Sequence, residues 1–196
     1  LGKDPTALIE RCRAALRKNN KLTAATDCPD PRNKLVGFPP EVVDELWHSG
    51  LFKWIVVEAD GAARKPLKAP AQHEPVIPAA SRLVIGIIGL SAIGRPLSER
   101  WVFRPEIFAS FSGLLAGEPV TPAATATVLS HPSGLMKGAP AKCTKMVFLN
   151  QADLPEHIEN GREIATVLAR NPRSCARVVI GRMQPEAQVI DCIDIH

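Results

Sequence analysis

Nearly continuous apolar runs, with no regular polar alternation, set the reading of this chain. Residues 54–58 (Trp-Ile-Val-Val-Glu), 83–88 (Leu-Val-Ile-Gly-Ile-Ile), 146–149 (Met-Val-Phe-Leu) and 177–180 (Arg-Val-Val-Ile) are rich in β-branched side chains. That is the pattern of strands covered on both faces, as in a parallel sheet. A helix is predicted between the last two, over residues 156–169. Near the start, Leu8, Cys12, Ala15 and Leu16 recur at helical spacing, with Glu10, Arg11, Arg13 and Arg17 on the other sides. Asp4-Pro5 supplies a capping carboxylate and a proline tolerated in the first turn, so this helix runs to about Asn19. A short strand is predicted over residues 21–26, then a turn-rich break, Asp27-Cys28-Pro29-Asp30-Pro31. A second helix opens at Pro39-Pro40, continues through Val42, Val43 and Leu46, and stops near Gly50. Two short helices are expected over residues 105–111 and 122–129. Strands alternating with helices imply an α/β fold, a three-layer, mostly parallel sheet flanked by helices, with ligands beyond the carboxyl ends of the strands. At 196 residues the chain is expected to form one domain.

Composition narrows the functional classes. The 24 Lys and Arg against 20 Asp and Glu leave a formal charge of +4 that is scattered along the chain. Nucleic-acid binders usually cluster their cations and offer aromatic platforms, whereas here six Phe, three Trp and no Tyr give few of them. The longest strongly apolar run, residues 83–90, is broken by two glycines and falls short of the ~20 residues of a spanning helix, so no membrane segment is expected. Cys12, Cys28, Cys143, Cys175 and Cys192 lie far apart with no C-x-x-C pair. They read as plain thiols in a reducing cytoplasm. Of the 18 prolines, eight fall in residues 66–78 and 119–140, which implies long ordered loops of the kind that often carry function. Leu1-Gly2-Lys3-Asp4 contains no initiator Met and no signal core, so the sequence reads as one that starts within a longer protein.

Three segments could carry chemistry. Glu58-Ala59-Asp60-Gly61 stands where a predicted strand runs out into a loop, the place where a carboxylate points into the ligand crevice and can hold Mg²⁺. Glu58 and Asp60 are thus the candidate catalytic carboxylates, Asp60 is the candidate metal ligand, and Gly61 permits the sharp turn. The alternative for Asp60 is a strand-end carboxylate that caps a turn. The following loop places Arg64, Lys65 and Lys68 ahead of a His73-Glu74 pair among prolines. Arg64 or Lys68 could hold an anion and His73 could move a proton, while the alternative is a solvated surface loop. Third, an apolar strand ending in Asn150-Gln151-Ala152-Asp153 resembles the guanine-reading N-K-x-D element of GTP-binding proteins, with Gln in place of Lys. The alternative there is an ordinary strand-to-helix turn with Asp153 near the helix start. No G-x-x-x-x-G-K-[ST] loop occurs in the sequence, and Gly89-Leu90-Ser91-Ala92-Ile93-Gly94-Arg95 lacks the Lys and hydroxyl of one.

Several blocks together resemble the selenium-dependent hydroxylase accessory proteins of the YqeC family. They are Val57-Glu58-Ala59-Asp60-Gly61-Ala62, Pro66-Leu67-Lys68-Ala69-Pro70-Ala71, His73-Glu74-Pro75-Val76-Ile77-Pro78, Arg104-Pro105-Glu106-Ile107-Phe108, His131-Pro132 through Lys137-Gly138, and Asn150 to Asp153. They occur in the family's order and span residues 35–181. The resemblance implies a P-loop NTPase-like fold and a role in maturing selenium-dependent molybdenum hydroxylases, at the enzyme or its cofactor. It implies Mg²⁺ and GTP or ATP as cofactors of the full-length parent, with Asp60 as the Walker B-type carboxylate and Asn150 with Asp153 as base readers. Arg64, Lys68, His73 and Glu74, with Gly61, would form a loop for a client or small molecule. The family usually begins with a strand and a Gly-Lys-Thr loop. The expectation is therefore that this piece lies upstream of Leu1, and that the chain alone binds nucleotide weakly and tends to self-associate. A non-catalytic carrier or docking module for the molybdenum cofactor or the apo-hydroxylase is the rival reading, and selenium or sulfur transfer through Cys143 or Cys175 is a third.

Overall fold

The computed structural model describes residues 4–28, 35–171 and 174–195. Two compact units divide the chain, one of residues 1–57 and 77–80, the other of residues 58–76 and 81–196.

In the first unit, helix α1 (Pro5–Leu16) opens as the sequence suggests, with the Asp4 carboxylate accepting the Thr6 N–H at 3.0 Å. Helix α2 (Pro40–His48) follows Pro39, and the two helices bury Leu8, Cys12, Val42 and Leu46 against one another. The Asp44 carboxylate accepts the Ala79 and Ala80 N–H groups at 3.1 and 2.8 Å, which ties residues 77–80 to α2. The strand expected over residues 21–26 is not formed. That stretch is irregular, and only an isolated antiparallel bridge joins Asp27 to Val36. The Pro29-Asp30-Pro31 part of the predicted turn lies outside the described residues.

The run at residues 54–58 departs furthest from expectation. It forms no strand, and Val56 is 93% exposed. A β-branched run becomes a strand only where a neighbour takes up its N–H and C=O groups. Among the described residues no strand pairs with it.

The second unit is the α/β part. Strands β2 (Leu83–Gly89), β4 (Thr144–Asn150), β5 (Arg177–Arg182) and β6 (Gln188–Asp194) form a sheet in the order β2-β4-β5-β6. The β2/β4 and β4/β5 pairs are parallel, and β6 closes the far edge antiparallel to β5. Two short strands, β1 (Leu67–Lys68) and β3 (Val102–Phe103), pair in parallel beside it as a second sheet. Helices α3 (Pro105–Ser112), α4 (Pro122–Ser130) and α5 (Pro155–Ala169) each begin with a proline, whose missing N–H costs nothing in the first turn.

One sheet face carries the core. Val84, Ile88, Val147, Leu149, Val178 and Ile180 are buried on it, and α5 contributes Ile164, Ala165 and Leu168. Gly161 lets α5 approach closely, since a Cβ there would stand 3.0 Å from the Ile180 side chain. The opposite face of β2 is open, with Leu83, Ile85 and Ile87 exposed, Ile87 to 60%. The expectation of burial on both faces thus fails for β2, because it is an edge strand whose apolar side chains are covered on one side only. Among the described residues no helix is long and apolar enough to cross a membrane.

Candidate functional site

The carboxyl ends of β2 and β4 meet the loop that follows Asp60. Gly89 pairs with Asn150 across the two strands, and its N–H donates to the Pro66 carbonyl at 2.7 Å. A Cβ on Gly89 would stand 2.8 Å from Pro66 Cβ and would overlap the Gln151 side-chain amide. Only glycine fits there, and the absence of a side chain lets the Asp60 loop and the Asn150 element share one end of the sheet. Gln151 has a left-handed backbone, φ +64°, and its Oε1 accepts the Ser91 hydroxyl at 2.6 Å.

Just beyond Pro66 lies a buried charge cluster. Lys68 is on β1, and only 4% of its side chain is exposed. Its ammonium donates to Asp60 Oδ1, to the Gly61 carbonyl at 2.7 Å, and reaches Glu74 Oε2 at 2.9 Å. Arg104 closes the cluster from the other side, donating from Nη1 to Glu74 Oε2 and from Nη2 to Oε1 at 3.4 Å. Its backbone is left-handed, φ +63°, as β3 gives way to α3, which turns the guanidinium back towards Glu74. Both cations also approach the Phe103 ring, whose centroid is 5.1 Å from Lys68 Nζ and 4.6 Å from the Arg104 guanidinium carbon. Such cation–π contacts retain attraction where water is excluded.

The two carboxylates are driven apart in acidity. Arg104 first, then Lys68 and the Ala71 N–H, hold Glu74 well below the usual carboxylate range, although burial opposes them. Burial pushes the Asp60 carboxyl up, against the pull of Lys68. Glu74 is therefore a fixed anion that locks the loop, and Asp60 is the carboxyl more ready to take a proton. Asp60 is also incompletely satisfied. Its side chain is 8% exposed, and its second oxygen, Oδ2, is buried with no hydrogen-bond partner. A buried oxygen of this kind calls for an explanation, and a role as a ligand atom is one.

The structure thus brings together Asp60, Gly61, Lys68 and Glu74, and adds Arg104 and Phe103. His73 is at the rim, 77% exposed, with Nε2 3.8 Å from Glu74 Oε1. Glu58 and Arg64 are exposed and stand outside the ion-paired cluster. Asn150 accepts the Met183 N–H at 3.1 Å, and Asp153 lies exposed in the loop before α5. Arg104 was not singled out as a site residue. Its only signal was membership of the Arg104-Pro105-Glu106-Ile107-Phe108 block, because 30 positions separate it from Glu74. Among the described residues no group of three or more His, Cys, Asp or Glu could form a metal cage. Cys175 is buried and its thiol is pushed up by burial, the opposite of an activated nucleophile.

Comparison with known proteins bears on this geometry. The YqeC protein family matches residues 5–106, which include Asp60, Lys68, Glu74 and Arg104. The chain is similar to the uncharacterized protein YqeC of Escherichia coli (strain K12), with 35% identity over 120 residues. That alignment covers 61% of this chain and 47% of the relative, so the chain spans about half the length of the curated relative it matches. No solved structure matches it.

Proposed function

The chain belongs to the YqeC family, and from that premise we propose that it is part of a Mg²⁺- and nucleotide-dependent assembly factor for selenium-dependent molybdenum hydroxylases. The observation that carries this reading is the buried, partnerless Oδ2 of Asp60. One free carboxylate oxygen suits Mg²⁺, which usually takes one or two carboxylates and completes its octahedron with phosphate oxygens and water. When bound, the ion would neutralise phosphate charge. Lys68 fixes the Asp60 carboxylate through Oδ1, so that Oδ2 has one orientation. Glu74 and Arg104 hold Lys68 and the loop in place.

GTP or ATP is the proposed nucleotide of the parent protein. Asp153 is exposed, and its carboxylate can accept from a guanine ring N–H and amine. Asn150 braces the neighbouring loop through Met183. Arg64 and His73, exposed on the segment that follows Asp60, are available to a hydroxylase client or its cofactor. Glu58 lies two residues before Asp60 on the same segment.

A second reading is a carrier or docking module without catalysis. It is favoured by Lys68 being engaged by Asp60 and Glu74, which leaves that ammonium committed within the cluster. Titration with fluorescent GDP and ADP in Mg²⁺, on this chain and on a version extended upstream, separates the two. The NTPase reading expects binding by the extended chain, loss on Asp60→Asn, and a guanine preference that Asp153→Asn abolishes. Absence of binding by both versions would overturn it in favour of the carrier.

A further inference from the structure

A second site lies on the same loop, and it asks for a different ligand. Pro70, Gln72, Ile107, Phe111, Ser133 and Lys137 line a cleft of about 240 Å³. The Phe111 ring is stacked on His131, with centroids 4.0 Å apart and planes at 11°, so the aromatic side chain lining the cleft is held in place. His131 is itself held, since its Nδ1 accepts the Ser133 N–H at 3.1 Å. Ile107 and Pro70 extend the apolar lining. Ser133 and Gln72 supply a hydroxyl and an amide.

Lys137 decides the charge of the occupant. Its ammonium donates to the Ala71 and Gln72 carbonyls, both at 2.9 Å, and forms no ion pair among the described residues. Two of its three N–H donors are used on neutral oxygens, and one remains. A partly buried ammonium held only by carbonyls has no counter-ion, an arrangement that favours an incoming anion. The volume sets the size. It falls below the ~300–1,000 Å³ of ordinary ligand pockets, a size that suits a single ring or fused ring pair.

We propose that this cleft binds a small planar molecule with one anionic group, its ring against Phe111 and its anion on Lys137. This site is separate from the Asp60 reading and does not depend on it. It is nevertheless wired to the charge cluster. The Ala71 carbonyl that Lys137 holds also accepts the Glu74 N–H at 3.0 Å, and the Ala71 N–H donates to Glu74 Oε2 at 3.3 Å. An anion that draws Lys137 away from Ala71 therefore acts on the turn that positions Glu74.

The test uses 2-naphthoate and its neutral carboxamide as probes, with calorimetry for affinity and backbone amide shifts for location. The full chain is expected to bind naphthoate, shifting the Gln72, Ser133 and Lys137 amides, and to bind the carboxamide at least tenfold more weakly. Lys137→Met is expected to lose at least tenfold in naphthoate affinity, and Lys137→Arg to stay within about threefold. No binding of naphthoate, equal binding of the two probes, or shifts confined to the exposed face of β2 would overturn the proposal. Because the probe pair is compared on the unaltered chain, the result stands even if Lys137→Met fails to fold.

Discussion

Replacing Lys68 with Met tests the electrostatic account of the cluster directly. The change keeps the length of the stem and its packing near Phe103, but removes the ammonium shared by Asp60, Glu74 and the Gly61 carbonyl. Breaking a buried ion pair from one side typically costs about 3–5 kcal/mol, because the partner is left as a lone buried charge. The two carboxylates differ in how they escape this. Glu74 keeps Arg104 and the Ala71 N–H, so it stays paired and ionised. Asp60 loses its hydrogen bond and ion pair and keeps only the weaker charge interaction with Arg104, and burial already pushes its carboxyl up with Lys68 present. Without Lys68 it rises further, and at low pH it relieves the strain by taking a proton. The sign follows from linkage. Above the ordinary Asp value of 3.8, the folded variant holds a proton that the unfolded chain has released, so its stability falls as pH rises through that window. The expected loss is therefore ~3–5 kcal/mol at pH 8 and clearly smaller at pH 5, read by urea denaturation with far-ultraviolet circular dichroism. Adding Asp60→Asn should recover ~2 kcal/mol at pH 8, since the lone charge is gone. A loss below ~1 kcal/mol at pH 8, or an equal loss at both pH values, would refute the reasoning.

Three further outcomes follow from the geometry. Glu74 has a depressed pKa, so its contribution is full above its unfolded value near 4.5 and is lost as pH falls through the folded value; the acid branch of the stability profile should flatten in Glu74→Gln, measured by urea midpoints from pH 6 downwards. Gly89→Ala should destabilise by ~1–3 kcal/mol, because the new methyl meets Gln151 and Pro66, and Gln151→Ala should relieve part of that cost in the same denaturation assay. With Ellman's reagent, Cys28 and Cys192 should react fast and Cys12 and Cys175 slowly until the chain is unfolded, since the first pair is exposed while burial raises the thiols of the second; fast labelling of all five in the folded chain would contradict the burial described.

What could be read from the sequence divides along physical lines. Helix starts were legible because their signals are local: Asp4 ahead of Pro5, Pro39 ahead of Pro40, and the prolines at residues 105 and 122 each mark an observed first turn. The apolar runs at β2, β4 and β5 were legible as strands, and their parallel order as an α/β sheet. The run at residues 54–58 has the same composition and forms no strand. β-Branched residues state a preference for extended backbone, but pairing is a property of two segments, and a single run contains no record of its partner. The same division governs the site. Asp60 stood out because a carboxylate at a strand-like end followed by glycine is a contiguous pattern. Its dependence on Lys68 and Glu74 could be suspected from one charged loop. Arg104 could not, since a left-handed residue between β3 and α3 decides where its guanidinium goes. Lys137 illustrates the point most sharply. It lies 66 positions from Ala71, and no charge pattern marks it, yet its two carbonyl contacts hold the turn on which Glu74 depends. The loop of residues 66–78 is stiffened locally by its prolines but is held in its functional shape from outside, by Arg104 on one segment and Lys137 on another. A loop clamped in this way should answer to ligands at either clamp.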